Sequence, residues 1–432
     1  MQIQLFTTQL TSRLQYISRF LLEQQLGLQV EWIALPPDSP SDAWINYSRV
    51  SYPGSFQIPP HKLLFETGIR AQQVECFTLG RIKAFFACPP GADFPFDIFA
   101  ATFYLISRYE EYLSQDTDRH GRFSAISSLA YQQQFLDEPI VHHWIKAFQK
   151  ALHQKFPFLV FRTKKACFLP TYDVDIAFAY RGRSGLRYLA GTLRDLLQRR
   201  FSQILFRWQV MINKQKDPYD VYNWLEQIHQ QYHVQAIYFF PVGVYGKYDK
   251  QISYSRTIYR QLISAISSSQ MTGIHLSYAS FLNIQKMKRE ISIFSSITGC
   301  AVQHNRFHYI RFRLPDSYRQ LLSLGVIHDY SMGYPSHGGF RAGVADTFFW
   351  YDLPAEQETS LQVHPFCWMD TFCIQHNTAE AYAEQLWNMW EKVYAADGVF
   401  MPVLHNNYFS EPTMRDYREA YTYVIRQIMA HQ

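Results

Sequence analysis

The sequence predicts an α/β fold with two domains, the second of which is a parallel β/α barrel. The chain has 432 residues, 47% of them hydrophobic and 18% charged, which is too long for one ordinary hydrophobic core. From Ala166 onward, short apolar strand candidates alternate with helical stretches to the end of the chain. Because parallel strands need crossover helices, this alternation is the pattern of a parallel barrel.

The first part of the chain also opens with an α/β pattern. Residues 2–6 are a predicted strand, an amphipathic helix follows from Thr11, Gly27 ends it, and residues 28–35 are a second strand. Further on, Asp97 is a predicted helix N-cap before a run that is apolar enough to be a buried helix. These elements predict a small α/β domain at the N-terminus.

Residues 156–165 are the predicted boundary between the domains, because the pattern changes after them. We expect an N-terminal accessory domain over residues 1–160, with a packing or substrate-positioning role, and the barrel over 166–432. Within the first domain, residues 108–123 carry charges and a histidine, but a helix end followed by a turn explains them. The strand candidates of the second domain are 166–175, 234–243, 272–277, 299–305, 325–331, 360–366 and 399–406, and its clearest helices are 218–233, 378–395 and 413–431.

Composition and cysteine spacing favour a protein of the cytoplasm. No run of 18 or more apolar residues exists, and the N-terminus lacks the pattern of a signal peptide. The six cysteines are scattered without a CxxC pair, which argues against a structural zinc site and against a disulfide framework. We expect reduced thiols, no transmembrane segment and no nucleic-acid partner.

The net charge of +5 is modest, but the basic residues cluster in residues 181–216. That stretch contains only one acidic residue, Asp195. Its basic residues are Arg181, Arg183, Arg187, Arg194, Arg199, Arg200, Arg207, Lys214 and Lys216. Two interpretations stay open: a solvated helix face, which is the commoner cause of such a run, or a peripheral surface for an anionic glycan or a lipid headgroup.

The stretch "FLPTYDVDIAFAY" places Asp173 and Asp175 at the end of a strand candidate. Side chains at i and i+2 of a strand point to the same side, so both carboxylates face the barrel mouth, where barrel chemistry lies. Such close carboxylates repel unless a cation lies between them or one is protonated. The sequence therefore favours a metal site or an acid/base pair, and the alternative is a helix N-cap with a surface salt bridge.

Further polar residues follow the other strand candidates. They are His275, His308, Asp329, Arg341, Asp370 and His405. A single strand-end histidine is usually a satisfied core residue, but several on successive strands favour a shared site. Carboxylate and imidazole together are ligands for Zn²⁺ and other divalent first-row ions.

These residues occur in motifs that resemble the polysaccharide deacetylase superfamily, also called NodB-homology or carbohydrate esterase family 4. The motifs, in order, are "PTYDVD", "IYFFPVGVYGKYDKQISY", "GIHLSY", "RFHYIRFRLPDSYRQLLSLGVIHDYSMGYPSHGGFRAG", "MDT" and "VLHN". The resemblance spans residues 166 to about 410 and is closest to a bacterial branch with an extra N-terminal domain. It implies a distorted (β/α)7-type barrel and a metal-dependent deacetylase.

The resemblance also implies a role for each matching residue. Asp173 matches the catalytic base and Asp175 the metal-binding aspartate. Arg341 resembles the arginine that orients the base, with Arg311 as an alternative, and Asp370 resembles the acid that steadies this arginine. His405 matches the histidine that protonates the departing amine.

One position departs from the family pattern. The second motif has two histidines four residues apart, whereas here His275 is followed by Ala279. His308 is the candidate for the missing imidazole, a structural hydrogen bond is the alternative role for it, and Ser277 and Ser280 are weaker substitutes. We therefore expect Asp175, His275 and His308 to hold a divalent metal, with zinc the first candidate.

Three functions follow, in order of preference. The first is metal-dependent removal of N-acetyl groups from an N-acetylated glycan inside the cell. The second is hydrolysis of another C–N bond without metal on the same scaffold, motivated by Ala279. The third is a catalytically inert glycan-binding protein, which the combined presence of a base and an acid disfavours.

Overall fold

The computed structural model has a mixed α/β architecture. It describes residues 1–37, 43–114, 116–183, 185–371, 378–411 and 413–432. The strands are β1 Gln2–Thr7, β2 Gln29–Ile33, β3 Trp44–Tyr47, β4 Phe56–Gln57, β5 Phe77–Leu79, β6 Ile82–Ala84, β7 Cys167–Phe168, β8 Thr171–Asp173, β9 Ile237–Phe240, β10 Met271–Leu276, β11 His304–Phe307, β12 His328–Asp329, β13 Phe348–Asp352, β14 Gln357–Val363, β15 Val399–Phe400 and β16 Val403–His405. The α-helices are α1 Ser12–Ser18, α2 Ile98–Ile106, α3 Tyr109–Leu113, α4 Leu129–Gln132, α5 Ile140–Lys155, α6 Gly185–Leu197, α7 Phe201–Met211, α8 Tyr222–Tyr232, α9 Thr257–Ser269, α10 Ile284–Thr298, α11 Asp316–Ser323, α12 Ala379–Ala395 and α13 Arg415–His431.

The N-terminal sheet has the order β2-β1-β3-β4, and its paired strands are parallel. The predicted start of α1 is confirmed, because the Thr11 side chain accepts a hydrogen bond from Leu14 N. This helix continues as a π-helix, Arg19–Gln25, before Gly27 adopts a positive φ of 72°. Asp97 is also an N-cap as predicted, since its side chain accepts a hydrogen bond from Ala100 N at the start of α2.

The larger sheet has eight strands in the order β13-β14-β12-β11-β10-β9-β8-β16. Its paired strands are parallel except β13 and β14. Helices α8, α9, α10 and α11 each connect two consecutive strands between β8 and β12, as parallel pairing requires. As a result, the carboxyl ends of β8, β10, β11 and β16 open on one side of the sheet.

The antiparallel strand β13 was not among the predicted elements. It begins at Phe348 and pairs with β14 at the edge of the larger sheet. Alternating strands and crossover helices predict parallel strands only, so this pattern does not indicate the antiparallel hairpin of β13 and β14. At the opposite edge, Met369 forms one parallel bridge to Val403, which places Asp370 beside β16. Closure into a (β/α)7-type barrel stays a prediction.

The two halves of the chain pack closely against each other. A connected set of buried apolar residues includes members of both halves. Arg13 Nε of α1 donates a 2.8 Å hydrogen bond to Glu356 Oε2, and Ala345 N donates a 3.0 Å hydrogen bond to His142 Nε2 of α5. The division into domains at residues 160–166 therefore stays a prediction.

Two chain-wide expectations concern cysteines and membrane spans. Cys76, Cys88, Cys167, Cys300 and Cys367 are free thiols. Cys373 lies outside the described residues. Within the described part of the chain, none of the helices combines the length and the apolar character that a membrane crossing needs.

Candidate metal centre and active site

The site lies where four strands of the larger sheet end. Asp173 is the last residue of β8, and His405 is the last residue of β16, directly opposite it in the pairing register. His275 is one residue before the end of β10, and His308 follows directly after β11. Because these strands are parallel neighbours or near neighbours, their ends bring the side chains into one cavity of about 420 Å³.

Asp175, His275 and His308 form a cluster with the composition of a metal site. Their ligand atoms all lie within 4.8 Å of one another. His275 Nε2 is 3.3 Å from Asp175 Oδ1, and His308 Nε2 is 3.4 Å from Asp175 Oδ2. Ligand bonds of 2.0–2.1 Å around a tetrahedral ion put neighbouring ligand atoms about 3.3 Å apart. The spacing therefore fits a small divalent ion.

The hydrogen bonds of His275 support the same conclusion. His275 Nδ1 lies 2.7 Å from the carbonyl oxygen of Arg306, so Nδ1–H donates there and Nε2 faces the Asp175 carboxylate. Asp175 Oδ1 is a buried oxygen without a hydrogen-bond partner among the described residues. A metal ion between this oxygen and Nε2 would satisfy both atoms.

His308 is held by a carboxylate behind it. Its Nδ1 is 2.9 Å from Asp249 Oδ1, an arrangement that orients Nε2 toward Asp175 and raises its basicity as a ligand. Burial lowers the pKa of His308, but Asp175 and Asp249 outweigh burial and raise it to about 10. A metal must displace that proton to bind. The structure thus places His308 beside Asp175, as the sequence interpretation proposed.

The turn that contains Ala279 binds Asp249 through its backbone. The backbone amides of Tyr278 and Ala279 donate to Asp249 Oδ1 and Oδ2 at 2.8 and 3.1 Å. The turn that carries a second histidine in the family pattern here binds the carboxylate that holds His308. The hydroxyl groups of Ser277 and Ser280 have other partners: Ser277 Oγ donates to Glu290 Oε1, and Ser280 Oγ donates to the Ser277 carbonyl.

The acid/base candidates lie beside this cluster. Asp173 Oδ2 is 3.6 Å from His275 Nε2, and His405 Nε2 is 3.8 Å from Asp175 Oδ2. Burial lowers the pKa of His405, but the Asp370 carboxylate outweighs burial and raises it to about 9. His405 Nδ1 is 2.6 Å from Asp370 Oδ1, which turns Nε2 toward the cavity. His405 is therefore set up as a proton donor.

The expectation that Arg341 orients Asp173 is wrong. Arg341 donates two hydrogen bonds to Glu111, at 2.8 and 2.7 Å, and is buried away from Asp173. Arg311, the alternative, donates to the His120 and Tyr278 carbonyls. The expected contact between Asp370 and an arginine is also replaced by another: among the described residues, the Asp370 carboxylate contacts the His405 ring.

Arg306 takes the place expected for Arg341. It lies on β11, opposite His275 in the register, and its Nη1 donates to Asp173 Oδ1 at 2.8 Å. The spacing in "RFH" contained this signal, because Arg306 is two residues before His308 and strand side chains alternate. Asp329, another strand-end candidate, instead accepts hydrogen bonds from Asn305, Tyr318 and Ser331 inside the core.

The first half of the chain contributes residues to this cavity that were not among the predicted site residues. Arg119, His120 and Arg122 line it together with Tyr309 and Tyr408. His120 Nδ1 lies 3.1 Å from Tyr278 Oη, and Arg122 Nη1 donates to the Tyr309 carbonyl at 2.5 Å. Residues 119–122 of the predicted turn therefore form part of the wall of the candidate site.

The backbone after His308 is strained. Tyr309 and Ile310 have positive φ values of 62° and 54°, a conformation that costs non-glycine residues about 1–3 kcal/mol each. Both residues line the cavity. Such strain is concentrated at functional sites, where the surrounding contacts impose it.

The first part of the chain matches a known family model. Residues 3–157 match the model of a family of unknown function, DUF7033, which covers less than half of the chain. No curated protein matches the sequence.

Several solved structures resemble this one. A Mycobacterium smegmatis protein, whose assignment as a polysaccharide deacetylase is itself provisional, has 13% identity and a TM-score of 0.42 over 63% of this chain and 87% of its own. The PuuE allantoinase has 13% identity and a TM-score of 0.39 over 62% and 84%. The polysaccharide deacetylase Bc1974 from Bacillus cereus has 11% identity and a TM-score of 0.30 over 61% and 88%. At these values the matches do not assign an activity to this chain.

Proposed function

We propose that the protein is a metal-dependent hydrolase that removes N-acetyl groups from an N-acetylated glycan. The observation that carries this proposal is the cluster of Asp175, His275 and His308 beside a base, Asp173, and an acid, His405, in one cavity. Amide hydrolysis needs these components together, because water is a weak nucleophile and an amine is a poor leaving group. The order of the sequence motifs supports the same activity.

Asp175, His275 and His308 are the proposed ligands of the ion. A divalent ion such as Zn²⁺ in this position supplies a Lewis acid that polarises the acetyl carbonyl and lowers the pKa of water. Asp249 and the Arg306 carbonyl hold the two imidazole rings in the orientation that binding needs.

Asp173 is the proposed general base. Arg306 holds its Oδ1, so Oδ2 is the oxygen that accepts a proton from the attacking water. His405 donates a proton from Nε2 to the departing nitrogen, while Asp370 keeps its Nδ1–H in place. The C–N bond breaks as a C–O bond forms, and the products are acetate and a free amine.

The cavity also supports a glycan as substrate. Tyr309 and Tyr408 line it, and aromatic side chains offer an apolar face with a polar edge. Arg119 adds a positive charge and hydrogen-bond donors to the same cavity, whereas Arg122 is paired with Asp118. The proposed role of the first half of the chain is therefore to position the substrate at the metal centre.

Acetate release tests this function. The zinc-loaded protein is incubated with N-acetylated oligosaccharides of chitin and of the bacterial cell wall, and acetate and new amines are both measured. We expect turnover that a chelator abolishes, and a loss of about 10²- to 10⁴-fold in Asp173→Asn and His405→Gln. Asp316→Asn and His337→Gln, which change partly exposed residues that do not line the cavity, are the matched controls.

Two results would contradict the proposal. Turnover that resists complete removal of metal would favour a metal-free hydrolase on this scaffold. Glycan binding with no turnover of any acetylated substrate would favour an inert binding protein.

A further inference from the structure

The helical hairpin formed by α6 and α7 exposes an apolar surface. On α6 the exposed residues Leu189, Leu193, Leu196 and Leu197 recur at helical spacing, and on α7 Phe201, Leu205 and Trp208 do the same, with Ile212 directly after the end of α7. Leu189, Leu193, Leu197, Phe201, Leu205 and Trp208 are between 49% and 76% exposed. Contiguous apolar patches of this kind mark interaction surfaces.

A buried ion pair joins the two helices. Asp195 of α6 and Arg207 of α7 form a buried ion pair, and Arg207 Nη1 also donates to Thr192 Oγ1 at 3.0 Å. Gly191 allows this approach, because a Cβ there would lie 2.9 Å from Arg207 Nη1. The hairpin is thus a defined element whose charged pair faces inward and whose leucines face outward.

The hairpin is also strongly basic. Its single acidic residue, Asp195, is neutralised by Arg207. A cavity of about 750 Å³ at its base is lined by Arg183, Arg187, Arg194 and Arg200 together with tyrosines. Lys214 and Lys216 follow just after α7 and are exposed. The exposed apolar residues are therefore bordered by a stretch in which basic residues far outnumber acidic ones.

We propose that this hairpin, residues 185–212, docks the protein on an anionic lipid bilayer. Helices that lie in a membrane interface combine Leu, Phe and Trp on one face with Lys and Arg on the other. Anionic headgroups attract juxtamembrane basic residues, which matches the charge of the cavity and the hairpin. The leucines, Phe201 and Trp208 enter the boundary between headgroups and acyl chains, and the arginines bind phosphate groups.

This proposal does not depend on the proposed hydrolysis, because docking needs no turnover. The basic cavity lies close to the candidate active site, since Tyr219, which lines it, accepts a hydrogen bond from Asn406, the residue after His405. A membrane-docked protein would hold the active site near a substrate that is itself attached to the bilayer.

Vesicle flotation with the full chain tests the docking. We expect the fraction of protein bound to vesicles of phosphatidylcholine mixed with phosphatidylglycerol to be roughly tenfold or more above the fraction bound to phosphatidylcholine alone. High salt should release the bound protein. The triple variant Leu193→Gln, Leu197→Gln and Phe201→Gln should lose this binding. The matched control is Leu35→Gln, Phe158→Gln and Val160→Gln, which changes residues of similar exposure outside the hairpin and should bind normally.

Circular dichroism establishes that both triple variants are folded, and light scattering measures their mass in solution. Equal vesicle binding by the hairpin variant and the native protein would overturn the proposal. A second result would also overturn it: the native protein is a dimer that does not bind vesicles, and the hairpin variant is a monomer. The hairpin would then be an interface between two copies of the chain.

Discussion

Arg306 Nη1 donates a 2.8 Å hydrogen bond to Asp173 Oδ1 from the interior of the larger sheet. The guanidinium group is fully buried, lies 4.5 Å from the centre of the Phe239 ring, and donates through Nε to the Tyr330 carbonyl. These contacts fix the group in one orientation. Asp173 Oδ1 is therefore held by a donor in a fixed position.

Replacing Arg306 with lysine should reduce catalysis more than substrate binding. Lysine keeps the charge but has one ammonium group, which cannot donate to Asp173 and to the Tyr330 carbonyl in the geometry of a guanidinium. We expect kcat to fall about 10²-fold with little change in KM, as when a general base is misplaced. Arg341→Lys is the control, because Arg341 contacts Glu111. Equal losses of kcat in the two variants would contradict the assignment.

The Asp249→Asn change should weaken metal binding without removing a ligand. An asparagine oxygen cannot accept hydrogen bonds from His308 and from the amides of Tyr278 and Ala279 as a carboxylate does. Loss of such a partner lowers metal affinity about 10- to 100-fold. Competition with a chromophoric chelator measures the affinity, and Asp316→Asn serves as control. Unchanged affinity in Asp249→Asn would exclude a supporting role for this carboxylate.

The buried pair of Arg341 and Glu111 should contribute to stability. Arg341→Met leaves a buried carboxylate with Arg108 as its remaining partner, and we expect a loss on the order of 3 kcal/mol in the free energy of unfolding. The double variant Arg341→Met with Glu111→Leu should lose less free energy of unfolding than the two single variants lose together. Urea unfolding of the four proteins gives the coupling energy. Additive losses would show that the two side chains do not interact.

Buried His142 should make the fold sensitive to mild acid. Its Nε2 accepts a hydrogen bond from Ala345 N, and burial lowers its pKa to about 4. Because the folded-state pKa is below the unfolded value of about 6.5, the neutral ring stabilises the fold above pH 6.5 and this contribution is lost as the pH falls toward 4. The full loss corresponds to about 3 kcal/mol.

His142→Gln isolates this effect. Glutamine Oε1 can accept the same hydrogen bond without titrating, so the variant should lose less stability than the native protein between pH 7 and pH 4.5. Urea unfolding at the two pH values gives the difference. Identical pH dependence in the two proteins would show that His142 does not titrate on unfolding.

The parts of the site that the sequence predicted are those at strand ends. Asp173, His275 and His405 end or nearly end strands with clear apolar patterns, and the parallel order of those strands brings their side chains together. Local pattern is enough for this, because the carboxyl ends of parallel strands share one side of the sheet.

The arginine and the supporting carboxylate depend on longer-range geometry. Arg306 of β11 reaches Asp173 of β8 across two strands, β10 and β9, and its guanidinium lies over the Phe239 ring of β9. Asp249 lies in a loop whose path fixes its contact with His308. Motif order points to Arg341, yet the packing of the two halves of the chain pairs it with Glu111. His120 reaches the cavity by the same packing, which sequence spacing does not encode.

The most direct test of the metal centre is the metal content of the purified protein. Elemental mass spectrometry is applied to the native protein, to His308→Ala, and to His304→Ala, which removes a histidine at the opposite end of the same strand. We predict about one equivalent of zinc or another divalent metal in the native protein and in His304→Ala, and its loss in His308→Ala. A native protein that holds no metal after reloading, or a His308→Ala variant with its metal retained, would contradict the account.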